Sequence, residues 1–170
     1  MPSSPISFLI TTASLYLLVI SLVGSFSVMS KAIMRDSVKS QLAEVADHVA
    51  RSMTELRAML QLSGENGSVL MKTLNLPIEL ASFGYTVKIE ETDGMLFVVA
   101  VLDSDRSMSA SSALWLKNDE VSVMTEAGSF TTGEFQVAYD NLLHSGQKNA
   151  LVWARNIGEG LWVGLGAFSG

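Results

Sequence analysis

Few side chains in this sequence stand at spacings that do chemistry. The two histidines, His48 and His144, lie far apart, and neither has a companion at metal-ligand spacing. Asp103-Ser104-Asp105 and Asn118-Asp119-Glu120 offer hard oxygen ligands of the kind Ca²⁺ takes. Neither repeats the spaced ligands of a calcium loop, so solvated turn residues are the simpler reading. Trp115, Trp153 and Trp162 would form a sugar-stacking platform if exposed, or packing if they lie in a β core, and the core is the stronger expectation. No glycine loop precedes a Lys-Ser/Thr pair, and no nucleophile elbow is present. There are no cysteines, which excludes disulfides, a redox pair, thiolate metal sites and a lipoprotein anchor. Asn66-Gly67-Ser68 is a glycosylation sequon on a turn, with Asn66 as the acceptor. The expectation is a chain without catalytic residues, cofactor or metal, and not an enzyme.

Two kinds of element must carry these residues. The first thirty residues hold no charged side chain, and Pro5 to Met29 is apolar throughout apart from hydroxyls and one glycine. About 20 such residues span the hydrocarbon core of a bilayer. A cleaved signal peptide fits poorly. Met1-Pro2-Ser3-Ser4-Pro5 has no basic residue, and the apolar run is longer than a signal core, although Ser25-Phe26-Ser27 mimics a cleavage site. Lys31, Arg35 and Lys39 follow the run, on the side that the positive-inside rule would keep in the cytoplasm. Pro2 and Pro5 suit a helix start, and Thr11, Thr12, Ser14 and Ser21 can bond their hydroxyls to backbone carbonyls. Gly24 and Ser25 would allow close helix approach.

From residue 31 to 62 the pattern stays helical but becomes amphipathic. Val38, Leu42, Val45, Val49, Met53, Leu56 and Leu60 recur at spacings of three and four, while Gln41, Glu44, Asp47, Arg51, Glu55 and Arg57 fall on other faces. Asp47–Arg51 and Arg51–Glu55 are i,i+4 pairs of opposite charge. A helix from Ile6 to Leu62 would be roughly 85 Å long at 1.5 Å per residue. Its apolar stripe needs a partner, either the chain's own β region or copies of the same helix.

Residues 63–170 read as short strands. Val69 to Leu74 ends at Asn75-Leu76-Pro77. In Tyr85 to Glu90, the residues Tyr85, Val87 and Ile89 face inward, and Asp93-Gly94 is a hairpin turn. Met95 to Leu102, continuously apolar, is predicted to be a central strand buried on both faces. Asp103 to Ser112 reads as a polar loop. Ala113–Leu116, Val121–Met124, Phe135–Tyr139, Ala150–Ala154 and Leu161–Phe168 supply further strands, with turns at Asn118-Asp119, Glu126–Gly128 and Asn156–Gly160. Gly164 and Gly166 share one face of the last strand, where the amphipathic helix or a neighbouring subunit is predicted to approach. The fold class is therefore α+β: a long helix over residues 1–62 (apolar 5–29, amphipathic 31–62), then an antiparallel β-sandwich head over 63–170. A net charge of −6 argues against a nucleic-acid partner.

This layout resembles the archaeal type IV pilin-like superfamily of adhesion pilins, archaellum filament proteins and accessory subunits. The carrying residues are Ser4-Pro5-Ile6 at the helix start, Leu74-Asn75-Leu76-Pro77 through Tyr85-Thr86-Val87-Lys88-Ile89, and Val152 to Gly158 (VWARNIG). The chain departs from the pattern in lacking a visible basic-plus-glycine leader before Ser4 and the bacterial Gly-Phe-Thr-Leu-x-Glu start. The resemblance implies a structural subunit of an extracellular filament on the cell surface. Its helix is first held in the cytoplasmic membrane and then enters a homopolymer of identical helices. Ile6, Phe8, Leu9, Leu15, Leu18, Ile20, Leu22 and Phe26 would form the assembly core, the stripe from Val38 to Leu60 an inner seam, and residues 104–112 an exposed patch. Two alternatives stand beside it: a single-pass, membrane-anchored archaellum accessory or stator-like protein with an extracellular binding head, and a membrane-bound sandwich receptor for a small ligand or sugar.

Overall fold

The structure, a computed structural model, describes residues 5–63, 67–114, 121–124, 126–157 and 160–169. Among the described residues, one helix, α1 (Pro5–Ser63), is followed by ten strands. The chain divides into two units, Met1–Ser37 and Val38–Gly170, and α1 contributes to both.

In the second unit the strands are β1 (Val69–Thr73), β2 (Tyr85–Thr92), β3 (Met95–Leu102), β4 (Ser109–Leu114), β5 (Val121–Val123), β6 (Gly128–Thr132), β7 (Phe135–Asp140), β8 (Leu142–His144), β9 (Ala150–Asn156) and β10 (Leu161–Ser169). They form a four-stranded sheet in the order β4-β3-β2-β8 and a six-stranded sheet in the order β1-β9-β10-β7-β6. The pairings are antiparallel except β5, which lies parallel to β10. One side of β10 is shared: Leu161–Val163 pair with β5, and Leu165–Ser169 pair with β7.

Period-two alternation sorts each strand between faces. Tyr85, Val87 and Ile89 of β2, Leu96, Val98, Ala100 and Leu102 of β3, and Val163 and Leu165 of β10 all enter one core. The same core takes Val38, Leu42, Val45, Val49, Met53, Leu56 and Leu60 of α1, all at or below 5% exposure. Burying such side chains is worth about 1.5–3 kcal/mol each before chain entropy is counted. The helix touches an edge strand of each sheet. Glu55 accepts a hydrogen bond from Lys72 Nζ of β1 at 2.6 Å, and Asp47 accepts one from Ser112 Oγ of β4 at 3.4 Å.

The outer face of the six-stranded sheet carries a second, smaller core around Val137, Leu151 and Trp153, flanked by Met71, Phe130, Tyr139, Trp162 and Phe168. Here the expectation for Gly164 and Gly166 is corrected. The amphipathic helix packs on the opposite face of β10, with Val163 and Leu165. The space over Gly164 belongs to the Trp153 indole: a Cβ built there would lie 2.6 Å from its Cζ2. A Cβ on Gly166 would lie 2.7 Å from the Ala138 carbonyl of β7. The two glycines therefore serve contacts within the head.

Other boundaries differ from the sequence reading. β3 is not buried on both faces: Phe97, Val99 and Val101 are only half-buried, so a continuously apolar strand here alternates between core and a partly open face. The predicted loop 103–112 stops at Met108, because Ser109–Leu114 pairs with β3 as β4. Serine has little intrinsic strand preference, and pairing with the neighbour overrides it. Residues 128–132, in part read as turn, form β6, which pairs with β7, and Leu142–His144, outside the strands expected from the sequence, forms β8. Asp93-Gly94 forms the expected turn, with φ of 52° and 73°. Asn66, Trp115 and the Asn118-Asp119-Glu120 group lie outside the described residues.

Candidate functional site

The first half of α1 is built from strong helix formers and β-branched residues with hydroxyl side chains interspersed. Thr12 Oγ1 donates to the Phe8 carbonyl at 2.8 Å, so its polar group makes no demand on the surroundings. The apolar side chains are left uncovered. Phe8, Leu9, Leu15, Leu18, Ile20, Leu22 and Phe26 are all exposed by more than half, and the neighbouring Leu17, Val23, Val28, Met29, Ile33 and Met34 are exposed as well. Of Ile6, only the backbone, in α1, is described. This helix is long and apolar enough to cross a membrane, and 0% of its apolar window is buried. An apolar surface this large far exceeds what a soluble monomer shows, which marks it for lipid or for protein.

The candidate seam from Val38 to Leu60 is placed differently. All seven residues are covered by the chain's own sheets, so in this structure the stripe does not offer a contact surface to a neighbouring helix. Around it the polar positions make local pairs. Arg51 and Asp47 form the expected i,i+4 ion pair at 2.5 Å, while Glu55 is held by Lys72 at 2.6 Å. Thr54 Oγ1 bonds back to the Ala50 carbonyl at 2.9 Å, and Ser63 Oγ to the Leu60 carbonyl at 2.8 Å near the end of the helix.

The remaining candidates fall into ordinary structural places. His48 is exposed on α1. Among the described residues, no three His, Cys, Asp or Glu side chains are grouped as a metal site would need. Asp105 accepts from the Ser107 backbone N–H at 3.1 Å and from its hydroxyl at 2.6 Å, a turn of the local Asx kind. Trp153 is buried, with its Nε1–H donating to the Leu165 carbonyl at 3.3 Å, and Trp162 is half-buried beside the same cluster. Phe130 packs edge-on to Trp153 at 5.1 Å between centroids.

Tyr85 is fully buried, and its hydroxyl donates to the Pro77 carbonyl at 2.6 Å. Burial pushes its phenol up to about 12. One constellation escaped the sequence reading. Thr86 of β2 bonds both Asp103, just after β3, and His144 of β8. No local signal marks it, because the three residues meet only through sheet register. Comparison of the chain with protein-family models, with curated proteins and with solved structures finds no match.

Proposed function

We propose that this chain is a structural subunit of an extracellular pilus-like filament, of the archaeal type IV pilin kind, that polymerises through the first half of α1. One observation carries the reading. A single helix supplies both an uncovered apolar surface, from Phe8 to Met29, and a stripe, Val38 to Leu60, that is sealed inside the chain's own β head. A surface apolar on all sides needs cover on all sides, and lipid and a bundle of like helices are chemically similar covers. The helix can therefore wait in a membrane and later exchange lipid for copies of itself without meeting water. The repeat would be heterologous and open, which is how identical units make filaments.

The buried stripe narrows this reading. Contacts between copies would use the apolar half of the helix and the outside of the head, not the stripe from Val38 to Leu60. The role is structural rather than catalytic.

The test is electron microscopy of filaments sheared from the native cells, with mass spectrometry of the subunit and its N-terminus. Filaments composed of this chain are the expected result. The intact chain in the membrane fraction, with none in filaments, would overturn the proposal in favour of a single-pass accessory protein that keeps its helix in lipid.

A further inference from the structure

The outer face of the four-stranded sheet holds a polar pocket that the assembly reading does not use. Register builds it. His144 of β8, Thr86 of β2 and Val101 of β3 stand in one cross-strand row, and Leu142, Lys88 and Val99 in the next. Asp103 and Arg106, from the turn between β3 and β4, close one end. The cavity measures about 410 Å³ and is lined by Thr86, Lys88, Val101, Asp103, Arg106, Leu142 and His144, with Leu102 beneath. That volume falls in the lower part of the range of small-molecule sites.

The hydrogen bonds fix the chemistry offered. Thr86 Oγ1 lies 2.7 Å from Asp103 Oδ1 and 3.1 Å from His144 Nδ1. A hydroxyl has one proton. A carboxylate can only accept, so that proton goes to Asp103. His144 Nδ1 must then be the donor to Thr86, a tautomer assigned from this network, which leaves Nε2 as an acceptor. Lys88 is paired along the strand with Glu90, whereas Arg106 has no ion pair among the described residues and is exposed. With Lys88 answered by Glu90, Arg106 is the lining cation that holds no ion pair among the described residues, on a chain whose net charge is −6. Val101 and Leu142, on the strands either side of β2, give the floor apolar carbon at two separate points.

We propose that this pocket binds a carboxylate-bearing sugar, a uronic-acid unit of an acidic glycan. Arg106 takes the carboxylate through its planar fork. Asp103 and His144 Nε2 accept from ring hydroxyls, and Val101 meets the C–H face of the ring. A neutral sugar would leave Arg106 unanswered. A simple carboxylate would leave the acceptors and the apolar floor unused. The site does not depend on where α1 is housed, so it stands or falls separately from the filament reading.

The test is saturation-transfer NMR and calorimetry on the full chain in neutral detergent micelles, with D-glucuronate, D-glucose and acetate as probes. Glucuronate is expected to bind more tightly than either of the others, and more weakly at high salt. Arg106→Gln, on an exposed turn, should weaken it by about tenfold with circular dichroism unchanged, since a charge-assisted hydrogen bond is at stake. Lys39→Gln, which removes the same charge elsewhere, should leave binding as it was. Glucuronate binding no tighter than that of glucose or acetate would overturn the proposal. Equal binding by the Arg106→Gln chain would overturn it too.

Discussion

Two stretches of the same helix are both rich in Leu, Val and Met, yet they meet opposite surroundings. From Phe8 to Met34 the apolar side chains are exposed; from Val38 to Leu60 the apolar stripe is buried, seven residues at 5% or less. The difference lies in what sits between the apolar positions. In the second stretch Lys39, Glu44, Asp47, Arg51 and Glu55 interrupt the pattern and leave one stripe, which one partner can cover. In Pro5 to Met29 nothing charged intervenes, so no single face is singled out and cover must come from every side. Apolar content alone therefore says little about where a helix lies. Its angular distribution says whether the chain can supply the cover itself.

The largest test of this contrast substitutes one leucine in each stretch. Leu42→Asp places a carboxylate at a position with 0% exposure and should cost more than the ~2–5 kcal/mol of a buried Leu→Ala change, abolishing cooperative thermal unfolding of the head in detergent. Leu15→Asp should leave that transition unchanged, because Leu15 is 64% exposed. It should instead remove filaments from the cell surface, since a charge near the middle of an apolar helix costs about 2.5–3.5 kcal/mol in lipid and at least as much in a dry bundle. Tryptophan fluorescence reads the first outcome, because all three tryptophans lie between residues 115 and 162. Electron microscopy reads the second. Normal assembly of the Leu15→Asp chain would sink the idea that this half of the helix is the assembly surface.

The same contrast explains what was legible beforehand. Helical spacing in Val38–Leu60 and period-two alternation in Tyr85–Ile89 are local signals, and both identified the residues that face the core. Which partner would cover the helical stripe was not local. Copies of the helix and the chain's own sheets satisfy the same spacing equally well. β4 was partly hidden, because Ser109–Ser112 has the composition of a loop and becomes a strand only through pairing with Val98–Val101. The face assigned to Gly164 and Gly166 was misread for a related reason. A glycine pair announces close approach but not by what, and the approaching groups, the Trp153 indole and the Ala138 carbonyl, come from other strands. The Thr86–Asp103–His144 group was invisible because register alone unites it.

Glycines sharpen the comparison at a smaller scale. Gly164→Ala should destabilise the head by about 1–3 kcal/mol, because the added methyl would meet the Trp153 ring and push it against Phe130 and Tyr139. Gly24→Ala, in the apolar half, meets nothing within 4 Å and should leave the head's melting temperature where it was. Denaturant titration of the two variants against the parent chain measures the difference. A stable Gly164→Ala head would mean that the indole can move aside and that the second core is looser than its contacts suggest.

The smallest effect concerns pH and belongs to the head alone. Tyr85 has 0% exposure, and burial raises its phenol to about 12, whereas in the unfolded chain it ionises near its ordinary value of 10.0. Between these values the folded chain keeps a proton that the unfolded chain has lost, so stability falls as pH rises from about 10 towards 12. Below pH 10 both states hold the proton and the group makes no pH-dependent contribution. Spectrophotometric titration at alkaline pH should therefore show the Tyr85 phenol ionising late, together with loss of the head's near-ultraviolet circular dichroism. Tyr85→Phe should abolish the late step, and should also lower stability at neutral pH by about 0.5–1.5 kcal/mol, because the hydrogen bond to the Pro77 carbonyl goes with the hydroxyl. Ionisation of Tyr85 near its ordinary value of 10.0 in a still-folded chain would contradict its burial. The core that buries the second stretch of the helix would then be more open to water than its packing implies.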